Sequence, residues 1–398
     1  MNSQRRNLIL LYFTLAVILL GFGVIIPLEA FLVDQFGASG QELGALISLF
    51  ALCQLLFSPI WGSISDSYGR KPILIVGAVG NALSLVMFGL STQLWMLFVA
   101  RALGGIFSAA TMPTALAFIG DSTSNENRGG GMGVIGAAMG TGMVLGPGIG
   151  GWLGANSLSL PFYVSGVLSL LAGLLIFFIL PESLPAEKRA SKVQLDITSR
   201  YKGMWEGLKG PMALFFFLSF LVSFGLSNLE GILGLFALEK FGYGPPEVGT
   251  IMVVVGTVVA LVQMVLTGPA TKRFGERNVI KATLIGLTVT FLLILTAYDF
   301  PTLLITIGLF AFTNAMLRPS IASLISKETK IDQGLAMGLN SSFMSLGRFI
   351  GPLLAGFLFD IRLSLPYMVG SLIMFLGFLF VQIKMKKPPE EAYRAQEV

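Results

Sequence analysis

Gly62-Ser63-Ile64-Ser65-Asp66-Ser67-Tyr68-Gly69-Arg70-Lys71-Pro72 is a polar turn, bounded by glycines, between two long apolar runs. Its outline returns 206 residues later as Gly268 to Arg277. Pro113 in Met112-Pro113-Thr114 returns at the same spacing as Pro319 in Arg318-Pro319-Ser320. Gly146-Pro147 returns as Gly351-Pro352, and Leu160-Pro161-Phe162 as Leu365-Pro366-Tyr367, each 205 residues on. Phe36-Gly37 and Glu42-Leu43-Gly44 match Phe241-Gly242 and Glu247-Val248-Gly249 in the same way. A chain that repeats itself in order, half its length apart, is built from two like-oriented copies of one unit.

The units belong in a bilayer. Of the 398 residues, 54% are hydrophobic and 12% charged, with a mean hydropathy of +0.82. A soluble globular chain carries about 25% charged residues. A crossing helix needs roughly 20 mostly apolar residues. Twelve such stretches lie near 7–33, 42–64, 73–92, 95–119, 131–154, 160–180, 212–236, 247–270, 278–297, 301–324, 335–358 and 364–385. We refer to them as spans one to twelve. The expected fold is an all-α membrane protein with twelve transmembrane helices in two six-helix bundles, 1–180 and 211–386. A polar linker at 181–210 separates the bundles, and a tail at 387–398 closes the chain. The first stretch follows Arg5 and Arg6 but is long and lacks a small-x-small cleavage site, so it reads as a span rather than a leader.

Charge placement sets the orientation. With the N-terminus inside, only Lys240 and Arg362 of the 26 lysines and arginines fall outside, and Arg101, Arg318 and Arg348 fall within spans. This asymmetry places both termini in the cytoplasm and accounts for the net charge of +5 without nucleic acid. The chain has no histidine and one cysteine, Cys53. It therefore has no internal disulfide, no cysteine-based metal site and no histidine-dependent triad. No Gly-x-x-x-x-Gly-Lys-Ser/Thr loop is present, so neither an enzyme nor an ATP-driven pump is expected, and no cofactor or metal. Two like-oriented apolar halves imply secondary transport, with a small molecule held where the halves meet.

In the quoted turn, Gly62 and Gly69 permit close helix approach and a tight turn. Asp66 and Arg70 form a charge lock, Lys71 adds to it, and Asp121 at the end of span four pairs with Arg70 or caps span five. The alternative is a basic turn that only enforces topology. In span five, Gly142, Gly146 and Gly150 recur every fourth residue, a smooth stripe for another helix. Pro147 removes a backbone donor there and is expected to kink the helix, and Gly151 completes the run. Span eleven carries a partial copy at Gly347, Gly351, Pro352, Ala355 and Gly356.

The turn resembles the Gly-x-x-x-Asp-Arg-x-Gly-Arg-Arg signature of the major facilitator superfamily, with Ser67 where Arg is usual. Span five matches Gly-x-x-x-Gly-Pro-x-x-Gly-Gly, the signature of its drug:proton antiporters, which include bacterial multidrug and tetracycline-type exporters. Ser223-Phe224-Gly225-Leu226-x-x-x-Glu230 and the Arg318-Pro319 pair resemble the multidrug members too. Those members tend to carry an acid where this chain has Ala315, beside Asn314.

Ionisable groups inside a bilayer cost about 2.5–3.5 kcal/mol each on insertion scales, so they should face a polar cavity or a partner. Glu230 lies mid-span, and a carboxylate in low dielectric takes up a proton more readily than one in water. Arg101, in Arg101-x-x-x-Gly105, is by resemblance a proton-transfer residue; the other reading is a structural pair. Glu29 is a substrate ligand or a solvated helix-end acid. Arg318 and Asn314 join the candidate site; Arg348 has no assignment. Phe215, Phe216, Phe217 and Phe220 are expected mostly to face lipid, with Phe310 and Phe312 candidate pocket residues. The resemblance implies a monomeric, proton-coupled exporter of lipophilic, cationic or amphipathic drugs in the cytoplasmic membrane. The alternatives are export of an endogenous metabolite or lipid, and a transport-dead sensor or scaffold.

Overall fold

The computed structural model describes residues 3–122, 128–189, 212–328 and 333–384. Within these the chain is helical and holds no strand. Most of the expected linker and all of the expected tail at 387–398 lie outside the described residues. Ten helices are long and apolar enough to cross a membrane, and a bent pair, Leu11–Ile25 with Glu29–Gln35 at 42°, makes an eleventh. Helix Arg128–Gly154, 27 residues long, supplies the twelfth at the place of span five. Span one breaks at Pro27, and span four is interrupted between Leu94–Ser108 and Thr111–Ser122. Span eight runs from Pro245–Leu261 through a π-helical turn, Val262–Leu266, into Thr267–Phe274. Pro147 sits inside an uninterrupted helix, as do Pro319 and Pro352. The helix continues through Pro147 without a break, as membrane helices tolerate a proline.

The repeated residues do repeated work. Gly37 (φ 66°) and Gly242 (φ 71°) occupy the left-handed region that ends the preceding helix, a conformation that penalises any Cβ. Glu42 Oε2 accepts from Ser39 N at 2.8 Å, and Glu247 Oε2 accepts from Gly244 N at 3.0 Å, so both carboxylates cap the starts of spans two and eight. Gly69 (φ 108°) and Gly275 (φ 76°) make the sharp turns into spans three and nine. Pro161 and Pro366 open spans six and twelve, where a missing N–H costs nothing. Behind them Phe162 stacks on Phe88 at 4.8 Å, and Tyr367 meets Phe236 at 4.6 Å.

Span five packs on span one within its bundle and on span eight across the bundles, while span eleven packs on span seven and across on span two. The glycines explain how. A Cβ on Gly146 would lie 2.8 Å from Gly23 Cα, and one on Gly142 would lie 2.6 Å from the Leu19 carbonyl carbon, both on span one. Gly151 and Gly148 face the other way. A Cβ on Gly151 would lie 2.9 Å from Gly249 Cα, and one on Gly148 would lie 2.8 Å from Val253, both on span eight. In the copy, Gly347 and Gly351 take Phe220 and Ser227 of span seven, while Gly356 abuts Gly40 of span two.

The cross-bundle contacts gather at one end, away from both termini. They join residues 40–48 to 349–360, residues 143–154 to 245–256, and Ala30 to Gly234. Ser48 Oγ donates to the Phe349 carbonyl at 2.6 Å, near the limit of the seam. Toward the terminal end, Leu261 and Met264 are exposed and a Cβ on Gly62 or Gly268 would meet nothing within 4 Å. The expected close approach at Gly62 is thus absent.

Candidate functional site

At the terminal end of the first bundle, Arg70 gathers the polar turn around itself. Its Nη1 donates to Asp66 Oδ1 at 2.5 Å and to Ser65 Oγ at 2.7 Å, and its Nε donates to Asp121 Oδ2 at 2.9 Å. The guanidinium is 8% exposed, so these partners replace most of its water. Asp121 therefore meets Arg70, the first of the two arrangements open to it. Lys71 lies over the Phe177 ring at 5.9 Å. Ser67, at the position of the family's arginine, has a buried hydroxyl with no hydrogen-bond partner.

Glu182 was not singled out by the sequence. Its Oε1 accepts from Arg70 N at 2.9 Å and its Oε2 from Lys71 N at 3.2 Å, capping span three. A carboxylate just beyond span six, next to Pro181, was the only signal. The second bundle repeats the lock with its signs exchanged. Glu276 and Lys327, the repeat positions of Arg70 and Asp121, form an ion pair, and Arg277 Nη2 donates to Glu328 at 2.9 Å beside it.

Within the first bundle, Arg101 and Glu29 form an ion pair, with Glu29 3% and Arg101 8% exposed. Glu29 opens the short second helix of span one, and Arg101 reaches it from span four between the rings of Phe50 (4.8 Å) and Phe88 (5.5 Å). A solvated helix-end acid at Glu29 is therefore excluded. The break at Pro27 turns Glu29 inward, and its charge is met by a cation that also needed a partner.

The second bundle holds its charges differently. Glu230 of span seven is partly accessible, and Arg318 of span ten and Arg348 of span eleven are exposed although each sits mid-helix. Arg348 lies within electrostatic range of both Glu230 and Arg318. Among the described residues no ion pair within 4 Å joins Glu230 to either arginine. Arg318 lines a recess with Ser219, Val222, Ile321, Asn340 and Met344, and Ser219 is hydrogen-bonded to Asn340. Asn314, one turn from Arg318, is buried with an unpartnered Nδ2. Ala315 is 2% exposed, and its carbonyl accepts from Gln263 in the π-turn at 3.4 Å.

The phenylalanines divide in the same way. Phe215 and Phe216 are buried, contrary to the lipid-facing expectation, with Phe216 stacked on Phe343 at 5.4 Å. Phe310 packs edge-on against Phe291 at 4.8 Å in the core, and Phe312 is 38% exposed. An unbroken run of aromatics at the start of span seven cannot all face outward on a 3.6-residue period.

Two helical bundles of repeated design, each of apolar spans and packed on each other through glycine-rich contacts, define a multi-pass membrane transporter rather than an enzyme. The chain belongs to the Major Facilitator Superfamily, whose profile matches residues 11–214 and again 215–397. It is 34% identical to Multidrug resistance protein 1 and 32% identical to Multidrug resistance protein 2 of Bacillus subtilis, each over 98% of both chains. It is 31% identical to Quinolone resistance protein NorA of Staphylococcus aureus over 96% of this chain and 97% of the relative. Among solved structures, the human organic anion transporter MFSD10 superposes with a TM-score of 0.71 at 24% identity, covering 96% of this chain and 100% of that one. The nucleoside transporter NupG superposes at 0.78 and 15%, over 98% and 100%. These two likenesses carry the fold alone.

Proposed function

We propose that this chain is a proton-coupled exporter of lipophilic, amphipathic drugs, cationic ones included, working by alternating access in the cytoplasmic membrane with both termini inside. The observation that carries the reading is Glu230, a partly accessible carboxylate mid-way along span seven, in the half of the molecule whose charges are not tied up in buried pairs. The multidrug and quinolone resistance relatives support a drug as cargo. In this reading the terminal end faces the cytoplasm and admits substrate, and the seam at 40–48 with 349–360 is the closed outer gate. Rocking about the glycine contacts opens that gate while the Asp66–Arg70–Asp121 lock and its charge-exchanged copy approach at the inner face. Proton uptake at Glu230 drives the return. Glu29 and Arg101 hold the first bundle together, and Arg318 and Asn314, one turn apart on span ten, complete the candidate site. The purified chain in liposomes should accumulate a lipophilic cation on the side opposite to an imposed proton influx. Equal accumulation with and without the pH gradient would remove proton coupling from the account.

A further inference from the structure

Span eight is one residue longer than its copy. Glu42 and Gly44 of span two return 205 residues on as Glu247 and Gly249, whereas Gly62 and Gly69 return 206 residues on as Gly268 and Gly275. Span two is a continuous α-helix of 29 residues, Gly40–Tyr68, and span eight, Pro245–Phe274, has 30. The extra residue is taken up between the matched glycines by the π-turn Val262–Leu266, the one such turn among the described residues. A π-turn is the form an α-helix takes when it absorbs an inserted residue, and it weakens the hydrogen-bond ladder where it sits.

The helix is weakened again just beyond. Pro269 has no N–H for the Val265 carbonyl one turn before it. Side chains bridge the turn instead: Thr267 Oγ1 donates to the Val262 carbonyl at 3.1 Å, and Gln263 Nε2 reaches the Ala315 carbonyl of span ten at 3.4 Å. Leu261, Met264, Val265 and Leu266 are exposed, and a Cβ on Gly268 would meet nothing within 4 Å. The eight residues Thr267–Phe274 thus form a short rod between two joints, the π-turn and the turn at Gly275. The second joint is anchored, for Glu276 beside it pairs with Lys327 and accepts from Ser323 Oγ at 2.9 Å, both on span ten. Span two has no such freedom. Its inner part is pinned to span four, with Trp61 Nε1 donating to the Ile106 carbonyl at 2.7 Å and Gln54 Nε2 to Ser108 Oγ at 3.1 Å. Glu182 packs against Gly69, whereas a Cβ on Gly275 would meet nothing within 4 Å.

We propose that the rod Thr267–Phe274 pivots between the π-turn and Gly275 as the inner end opens and closes, so that the second bundle bends within span eight while span two moves rigidly with the first. This rests on the alternating access of the exporter reading and adds a moving part to it. Pivoting there costs the long Gln263–Ala315 hydrogen bond and little packing, whereas the same bend in span two would break the Trp61 and Gln54 bonds.

Distances between spin labels on the purified full-length chain in nanodiscs, in a Cys53→Ala background, test the pivot. Labels at Tyr68 and Phe274 report the opening between the bundles. Labels at Leu266 and Tyr298 report the rod within its own bundle, and labels at Ile60 and Thr92 occupy the repeat positions of that second pair. Asp360→Ala, which loosens the outer seam, and Glu230→Gln, which imitates the protonated carboxylate, supply the changes of state. Where the first distance changes, the second should shift by about 3 Å, the rise of two helical residues, and the third should stay fixed. Pro269→Ala returns an N–H to the weakened turn and should halve the second shift. Deleting Met264 gives span eight the length of span two and should remove it. A first distance that changes while the second does not would overturn the pivot and leave alternating access standing, and an equal shift of the third pair would overturn it too. A second distance that shifts while the first is constant would uphold the pivot and overturn the rocking of the bundles. Constancy of all three distances in both variants, at acidic and alkaline pH, would overturn both.

Discussion

The Asp360 carboxylate of span eleven caps the first turn of span two across the bundle boundary, accepting from Gly40 N at 2.7 Å and from Gln41 N at 2.8 Å. Its repeat position is Ala155, and span eight begins with Pro245 and Pro246, which have no N–H to offer. The carboxylate cap is therefore single, on the side of the seam that also carries the Ser48–Phe349 hydrogen bond. A helix N-terminus carries partial positive charge and unpaired donors, so a carboxylate there stabilises by about 1 kcal/mol.

Removing that cap should favour the state open at the far end. Asp360→Ala is expected to raise reaction of an engineered Ser48→Cys thiol, in a Cys53→Ala background, with a membrane-impermeant maleimide. An increase of about fivefold corresponds to about 1 kcal/mol. Labelling at the background rate would show that Asp360 does not hold the seam.

The two faces of span five should fail differently. Gly146→Ala puts a methyl against the span one backbone, inside one bundle, and should lower thermal stability by about 1–3 kcal/mol of overpacking. Gly249→Ala puts one 2.6 Å from the Pro147 carbonyl, across the seam, and should change accessibility of the Ser48→Cys thiol with a smaller effect on stability. Identical melting and labelling behaviour in the two variants would contradict this division.

For the buried pair, Glu29→Gln alone leaves Arg101 without its counter-charge and should destabilise by about 3–5 kcal/mol. The double variant with Arg101→Gln should recover much of that loss. A cycle in which the two single effects simply add would argue that the residues do not depend on each other. Detergent-solubilised melting curves of the four proteins provide the comparison.

The sequence revealed what recurs and what is apolar. Twelve spans, two copies and the glycine stripe could be read because hydrophobic length and helical spacing are local properties. The Arg70 lock was legible because its Asp66 partner is four residues away. Glu182, Asp360 and the Glu29–Arg101 pair were not, because each partner lies in another span and its approach depends on how helices tilt and break. Arg348 had no assignment for a similar reason, as its neighbours Glu230 and Arg318 come from spans seven and ten. Phe216 and Phe310 look like lipid-facing or pocket residues in a list and become core only when the rotation of each helix is known.

The most direct test of the account is transport by Glu230→Gln in liposomes with an imposed pH gradient. Glutamine keeps the size and hydrogen-bonding groups of the side chain but cannot exchange a proton. The account predicts a folded protein that still equilibrates substrate down its own gradient and no longer drives it uphill. Uphill transport at the wild-type rate would show that Glu230 is not the coupling site and would contradict the account's central claim.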